Sequence, residues 1–232
     1  MSTFAAAAPA ISGPSQERHA FLKRTAIWTL VGLMVAGVVG AFSTAFVAPL
    51  IFSAGRWGGT IVVLGAFVIA HWVCRKMVYG GAKVPGFALA VLAEGVALGC
   101  LLLTTVLMAG LDGALQIVIQ ALGLTAGTAL GMLLYVWFSK GELKLVGAFL
   151  SMAFVPMLIL MAVSIFFPFG GVIGLAVSAL FVLVSAAGLL YRLHFVVHNL
   201  GTDQHVEGAY EITMGVLVLL WNIITLLNRF RR

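Results

Sequence analysis

The chain has 232 residues, 62% hydrophobic and only 9% charged. A soluble globular domain carries about 25% charged residues, so this composition excludes a water-soluble domain and makes lipid the solvent. The net charge of +6 does not point to nucleic acid: Lys and Arg sit at the ends of apolar runs, with no basic stripe interleaved with aromatics, and they read as topological signals.

The expected architecture is an all-α integral membrane protein, a bundle of seven transmembrane helices. Residues 1–22, rich in Ala, Ser and Pro, read as a flexible cytoplasmic tail, and 23–232 as the seven-helix transmembrane domain. In a secretory signal, positive charge precedes the apolar run. Here Arg18, Lys23 and Arg24 follow the Ala run, so the first span is expected to be uncleaved. A span needs about 20 apolar residues, and seven stretches qualify: 25–48, 58–74, 86–109, 114–138, 145–167, 171–191 and 210–228. Pro49, Pro85 and Pro168 fall where spans are expected to end or begin, and Pro156 is expected to kink the fifth.

Loop charges give the orientation. Arg18, Lys23 and Arg24 precede the first span; Arg75, Lys76 and Lys83 follow the second; Lys140 and Lys144 follow the fourth; Arg192 follows the sixth. The alternate loops hold Arg56, then Asp112, then no charge, which places the N-terminus in the cytoplasm. The closing Arg229, Arg231 and Arg232 break the pattern. Either the last span crosses with a basic tail or it re-enters; 212–227 is long and apolar enough to cross.

Glycines four apart in the fourth span, Gly123, Gly127 and Gly131, form a face that admits a neighbouring helix, as do Gly32, Gly37 and Gly40 in the first. Cys74 and Cys100 read as small packing residues, with no disulfide framework.

Ionisable residues inside apolar runs are the pointers to function. Glu94 reads as the only acid deep within a span, ~12 Å in at 1.5 Å per residue. Such a carboxylate must be paired, protonated or wet; it is either a structural carboxyl or an ion or proton site. Arg192, at the cytoplasmic end of the sixth span, either snorkels to the interface or turns inward to pair with Glu94. His71, one turn before Arg75, is a second candidate partner or an interfacial residue. Asn222, mid-span in VLVLLWNIITLL, must find a hydrogen-bond partner and is expected to face the bundle interior. Gln116, Gln120, Thr125 and Thr128 form a polar seam in the fourth span, either structural glue or a water-lined path. His194, His198 and His205 are expected in the solvated loop before the last span, at no metal-binding spacing. No nucleophile elbow, phosphate-binding loop or HExxH is present, and no Asp lies deep in a span, so neither an enzyme nor a cofactor or metal site is expected.

Four blocks carry a resemblance. TAGTALGMLLYVWFSKGELKLVGAFLSMA (125–153), LFVLVSAAGLLYRLHFVVHN (180–199), AYEITMGVLVLLWNIITLLNRFRR (209–232) and the shorter AEGVALG (93–99) together resemble the Bax inhibitor family of seven-span membrane proteins, in its divergent bacterial type. The resemblance implies residence in a bacterial plasma (inner) membrane. Its better-studied members place one aspartate after the Tyr of the sixth helix and another a turn before the Asn of the seventh. The pair is thought to gate a calcium leak in a proton-sensitive way. Here those positions hold Arg192 and Leu219, so the gating pair does not carry over. The resemblance implies an ion (calcium or proton) leak channel or transporter with a diverged gating site. The alternative is a non-transporting regulatory protein that binds a membrane protease or other membrane proteins.

Overall fold

The computed structural model describes residues 15–53, 55–138, 143, 146–147, 149–150, 152, 156, 160 and 170–231. Among them there is no strand. Helix α1 (Ser15–Phe42) passes through a π turn (Ser43–Val47) into α2 (Ala48–Ser53). Helix α3 (Arg56–Val68) passes through a second π turn (Ile69–Val73) into α4 (Cys74–Tyr79). Then come α5 (Lys83–Phe138), α6 (Gly171–Asn199) and α7 (His205–Phe230). Five helical segments among the described residues are long and apolar enough to cross a membrane: Gln16–Ser53, Ile61–Tyr79, Lys83–Trp137, Gly171–Asn199 and His205–Phe230.

Helix α5, at 56 residues, is broken at Gly110, whose φ of 71° and ψ of 173° are not helical. Left-handed φ favours glycine because it has no Cβ to clash. The chain doubles back there. Leu98 and Leu101 share one core cluster with Ile117 and Ala121, whereas a straight helix would separate Leu98 from Ala121 by ~35 Å. The two halves, 83–109 and 111–138, occupy the expected third and fourth spans. The expected fifth span, with Pro156 as its kink, lies mostly outside the described residues, as do Lys140, Lys144 and Pro168.

Several sequence-based boundaries are corrected. The tail boundary at residue 22 falls inside α1, where Phe21 is buried against Val196 and Leu200. Pro49 does not end the first helix. A proline lacks the N–H that would bond the carbonyl four residues back, and its ring clashes with that carbonyl. The ladder widens to a π turn immediately before α2 and continues. Pro85 sits in the first turn of α5, where backbone N–H groups have no intrahelical partner anyway. The loop expected at 192–208 shrinks to a few residues, because α6 runs on to Asn199 and α7 starts at His205. His194 and His198 therefore stack on one helix face, centroids 4.1 Å apart.

Helix α7 is the centre of the assembly. It packs against α1, α5 and α6 and contributes to both main cores. Tyr210 and Met214 join Ala36, Val78 and Val91; Leu219 and Ile224 join Ile117 and Leu189. Its ends meet opposite ends of the bundle. Lys83 Nζ lies 2.7 Å from Glu207 Oε1 near its start. After its last turns, Arg231 donates to Gln116 Oε1 (2.9 Å) and the Gly113 carbonyl (3.4 Å), just past the Gly110 reversal. The helix thus runs unbroken from one end of the bundle to the other. The outward faces are apolar, with Met34, Leu50, Leu107 and Ile119 exposed, as lipid contact requires.

The glycines divide by use. Gly95 and Gly99 of α5 pack against α1. A Cβ on Gly95 would sit 2.7 Å from Val39 Cγ1, and one on Gly99 would sit 2.9 Å from the Gly40 carbonyl oxygen. Gly32 lies against Phe87 and Thr213. Gly37, Gly123, Gly127 and Gly131 have open space around the Cβ position, so the stripe in the second half of α5 packs no described neighbour closely. Gly99→Val should force the α1–α5 crossing apart and destabilise the fold by about 1–3 kcal/mol, whereas Gly127→Val should have little effect. Unfolding midpoints in detergent micelles for the two variants check this contrast.

Candidate functional site

The π turn at Ile69–Val73 sets His71 into the bundle. π turns recur at functional positions because they rotate side chains off the regular helical face. Tyr210 donates its hydroxyl to the Ala70 carbonyl (2.7 Å), tying α7 to this turn. The His71 ring stacks on Phe67 at 4.2 Å between centroids. Its Nδ1 lies 3.2 Å from the Phe67 carbonyl oxygen and 3.4 Å from Glu94 Oε1. A proton on Nδ1 serves the carbonyl. Glu94 is 8% exposed, and its Oε1 has no hydrogen-bond partner among the described residues, so the His71–Glu94 contact is a close approach of an imidazole and a carboxyl and not a hydrogen bond.

Arg192 turns inward, but its partner is Glu211 and not Glu94. Nη1 donates to Glu211 Oε2 at 2.9 Å. The other Glu211 oxygen accepts from the Tyr79 hydroxyl at 3.0 Å and lies 3.4 Å from Arg75 Nη2. The carboxylate is 3% exposed and well satisfied. Gly215, one turn after Glu211, makes room for this arrangement: a Cβ there would sit 3.2 Å from Arg192 Cδ. Glu94 is therefore not the only deep acid. Glu207 and Glu211, both buried, belong to the first two turns of α7.

Glu94, Arg192 and Asn222 line one cavity of ≈ 630 Å³, together with Arg75, Glu211 and residues of α3, α6 and α7. Asn222 meets its hydrogen-bonding need inside its own helix, Nδ2 donating to the Val218 carbonyl at 3.0 Å, while its side chain borders the cavity. Of the expected polar seam, Gln116 receives Arg231 and Thr125 is buried. The structure brings Glu94 and His71 together, places Arg192 and Asn222 on the same cavity wall, and adds Glu211, Arg75 and Tyr79. The missed residues left a trace in the sequence. Glu207, Glu211, Gly215, Asn222 and Arg229 are spaced by 4, 4, 7 and 7, one polar or small stripe of a single helix.

The family model described as Bax1-I, inhibitor of apoptosis-promoting Bax1, matches residues 18–232. An uncharacterized protein of Pseudomonas aeruginosa is 30% identical over 122 residues, covering 52% of this chain and 52% of that protein. The match thus spans about half the length of that relative. With its long apolar helices and a family match across nearly its whole length, this chain is a membrane protein belonging to the Bax inhibitor family.

Proposed function

We propose that the protein is a seven-span ion leak channel or transporter of a bacterial inner membrane, with its N-terminus in the cytoplasm and a gating site that has diverged. The observation that carries this reading is the cavity reaching Glu94, a buried carboxyl with one oxygen unpartnered among the described residues and an imidazole 3.4 Å away. Intramembrane ionisable residues that face a cavity mark ion or proton pathways. Between calcium and a proton, the chemistry favours the proton. Calcium takes 6–8 oxygen ligands, commonly several carboxylates. Among the described lining residues the only carboxylates are Glu94 and Glu211, and Glu211 already serves Arg192, Tyr79 and Arg75. A carboxyl beside an imidazole can pass a proton with no coordination shell. No enzymatic role is proposed.

Purified protein reconstituted into liposomes, with a pH-sensitive dye inside, tests the reading. Proton influx above that of protein-free liposomes is the expected result, with calcium influx much smaller. Absence of both fluxes would favour the second reading, a non-transporting regulator that binds a membrane protease or other membrane proteins. That reading has one observation on its side: Gly123, Gly127 and Gly131 are exposed and unpacked by described residues, a surface on which another helix can approach closely.

A further inference from the structure

The π turn that carries His71 changes the partner of one backbone acceptor. In an α-helix the Ala70 carbonyl accepts from the N–H four residues on, that of Cys74. Here the Cys74 N–H serves the Ile69 carbonyl instead, five residues back, which is what widens the turn. The Ala70 carbonyl thereby loses its α-helical donor. Ala70 is fully buried, so bulk water does not reach it, and a buried carbonyl left without a donor is costly.

The donor comes from another helix. The Tyr210 hydroxyl of α7 lies 2.7 Å from the Ala70 carbonyl oxygen. Tyr210 is 1% exposed, and its ring shares a core cluster with Ala70, Cys74 and Val78. Packing fixes the ring, so the hydroxyl marks which carbonyl of this segment stands outside the helical ladder. That choice sets the place of the wide turn. Without the hydroxyl, the Cys74 N–H is free to return to Ala70 and the turn to step along the helix. One residue's step is about 100° on a cylinder of radius ~2.3 Å, which moves a Cα by roughly 3.5 Å.

His71 is the next residue in the turn. Its Nδ1 lies 3.4 Å from Glu94 Oε1, and its ring stacks on Phe67 at 4.2 Å between centroids. A displacement of that size takes the imidazole out of reach of the carboxyl. Glu211, the residue after Tyr210, holds the same segment beyond His71 through Arg75 and Tyr79. Two successive residues of α7 thus hold the chain before and after His71.

We propose that Tyr210 is a positioning residue: through the Ala70 carbonyl it holds the π turn in place and so keeps His71 against Glu94. Its consequence for ion passage rests on the path through Glu94 proposed above. The placing of His71 does not, and the two are read separately. Tyr210→Phe keeps the ring and removes the hydroxyl. Ala70–His71 is the only Ala-His pair in the sequence, so full-length protein in nanodiscs, with isotope labels on alanine carbonyls and histidine nitrogens, gives one carbonyl–amide cross peak by solid-state NMR. It reports the Ala70 carbonyl directly, and the His71 ring signals are assigned by their loss in His71→Asn. In Tyr210→Phe the cross peak and the His71 ring signals should shift, while the rings of the other four of the five histidines stay in place. Tyr135→Phe, at an exposed ring, should move none. Protein grown with fluorotyrosine, whose phenol is a stronger donor, keeps every tyrosine ring in place and should move the cross peak the opposite way. Proton flux through Tyr210→Phe in liposomes should fall about fivefold, the equivalent of about 1 kcal/mol. A cross peak unmoved in both altered proteins would overturn the proposal, as would a shift of all five histidine rings, the mark of a general loosening. Shifted His71 signals with wild-type flux would support the placing of His71 by Tyr210 and count against His71 in the ion path.

Discussion

Glu211→Gln is expected to be the most destabilising conservative change in the protein. It removes the charge that Arg192 meets at 2.9 Å and Arg75 approaches at 3.4 Å, and it leaves the arginines facing each other across a neutral amide. Breaking a buried ion pair by removing one partner costs about 3–5 kcal/mol. The Arg192 side chain is 27% exposed and its head can partly reach water, so the expected loss is roughly 2–3 kcal/mol. Glu207→Gln should cost less, because its partner Lys83 is 38% exposed and a flexible ammonium finds water readily. Unfolding midpoints in mixed micelles compare the two. A smaller loss for Glu211→Gln than for Glu207→Gln would show that the arginine cluster is not what fastens α7.

Arg192→Asp is expected to change function more than any other single substitution at the site. It places a carboxylate opposite Glu211, with Arg75 and Tyr79 still at hand. Two facing acids titrate as a coupled unit, as would the pair that the family resemblance implies for relatives, there at positions 192 and 219. The change also removes a fixed positive charge from the cavity, where it repels calcium. The unmodified protein should show low calcium conductance with little dependence on pH between 6 and 8. Arg192→Asp should raise the conductance about tenfold, a barrier change of about 1.4 kcal/mol, and make it pH-dependent. Calcium-dye measurements in liposomes across that range decide. Leu219→Asp is no route to the same end: Leu219 is fully buried in the core with Ile117 and Leu189, and an acid there would be unpaired and unhydrated.

The long apolar helices were legible because few structures other than a membrane helix satisfy such a run. The first four, the sixth and the seventh expected spans fall on described helices, but the first helix starts at Ser15 and not at 25, and α6 ends at Asn199 and not at 191. The errors lie where polarity misleads. Charged and polar residues at 15–22 and 192–208 read as solvated tail and loop, yet Phe21, Val196 and Val206 bury there and carry the helices onward. The same bias hides Glu211. It sits just inside the expected last span, next to residues whose polarity reads as loop. Depth alone then matches Arg192 to Glu94, whereas helix phase points to Glu211. The π turn at Ser43–Val47 is accompanied by Pro49, but the second, at Ile69–Val73, has no proline to announce it. The second turn fixes the phase of His71, and without that phase the sequence can suggest the closeness of His71 to Glu94 but cannot establish it.

The central claim is that Glu94 lies on an ion path through the cavity. The most direct measurement is proton flux through reconstituted Glu94→Gln beside the wild type, with equal protein incorporation and helical content. Gln keeps the shape and hydrogen-bonding capacity of the side chain but cannot exchange a proton. The predicted result is a loss of about tenfold in flux, a barrier increase of about 1.4 kcal/mol, with Glu207→Gln unaffected. An unchanged flux in well-folded Glu94→Gln protein would contradict the claim and leave Glu94 a structural carboxyl beside His71.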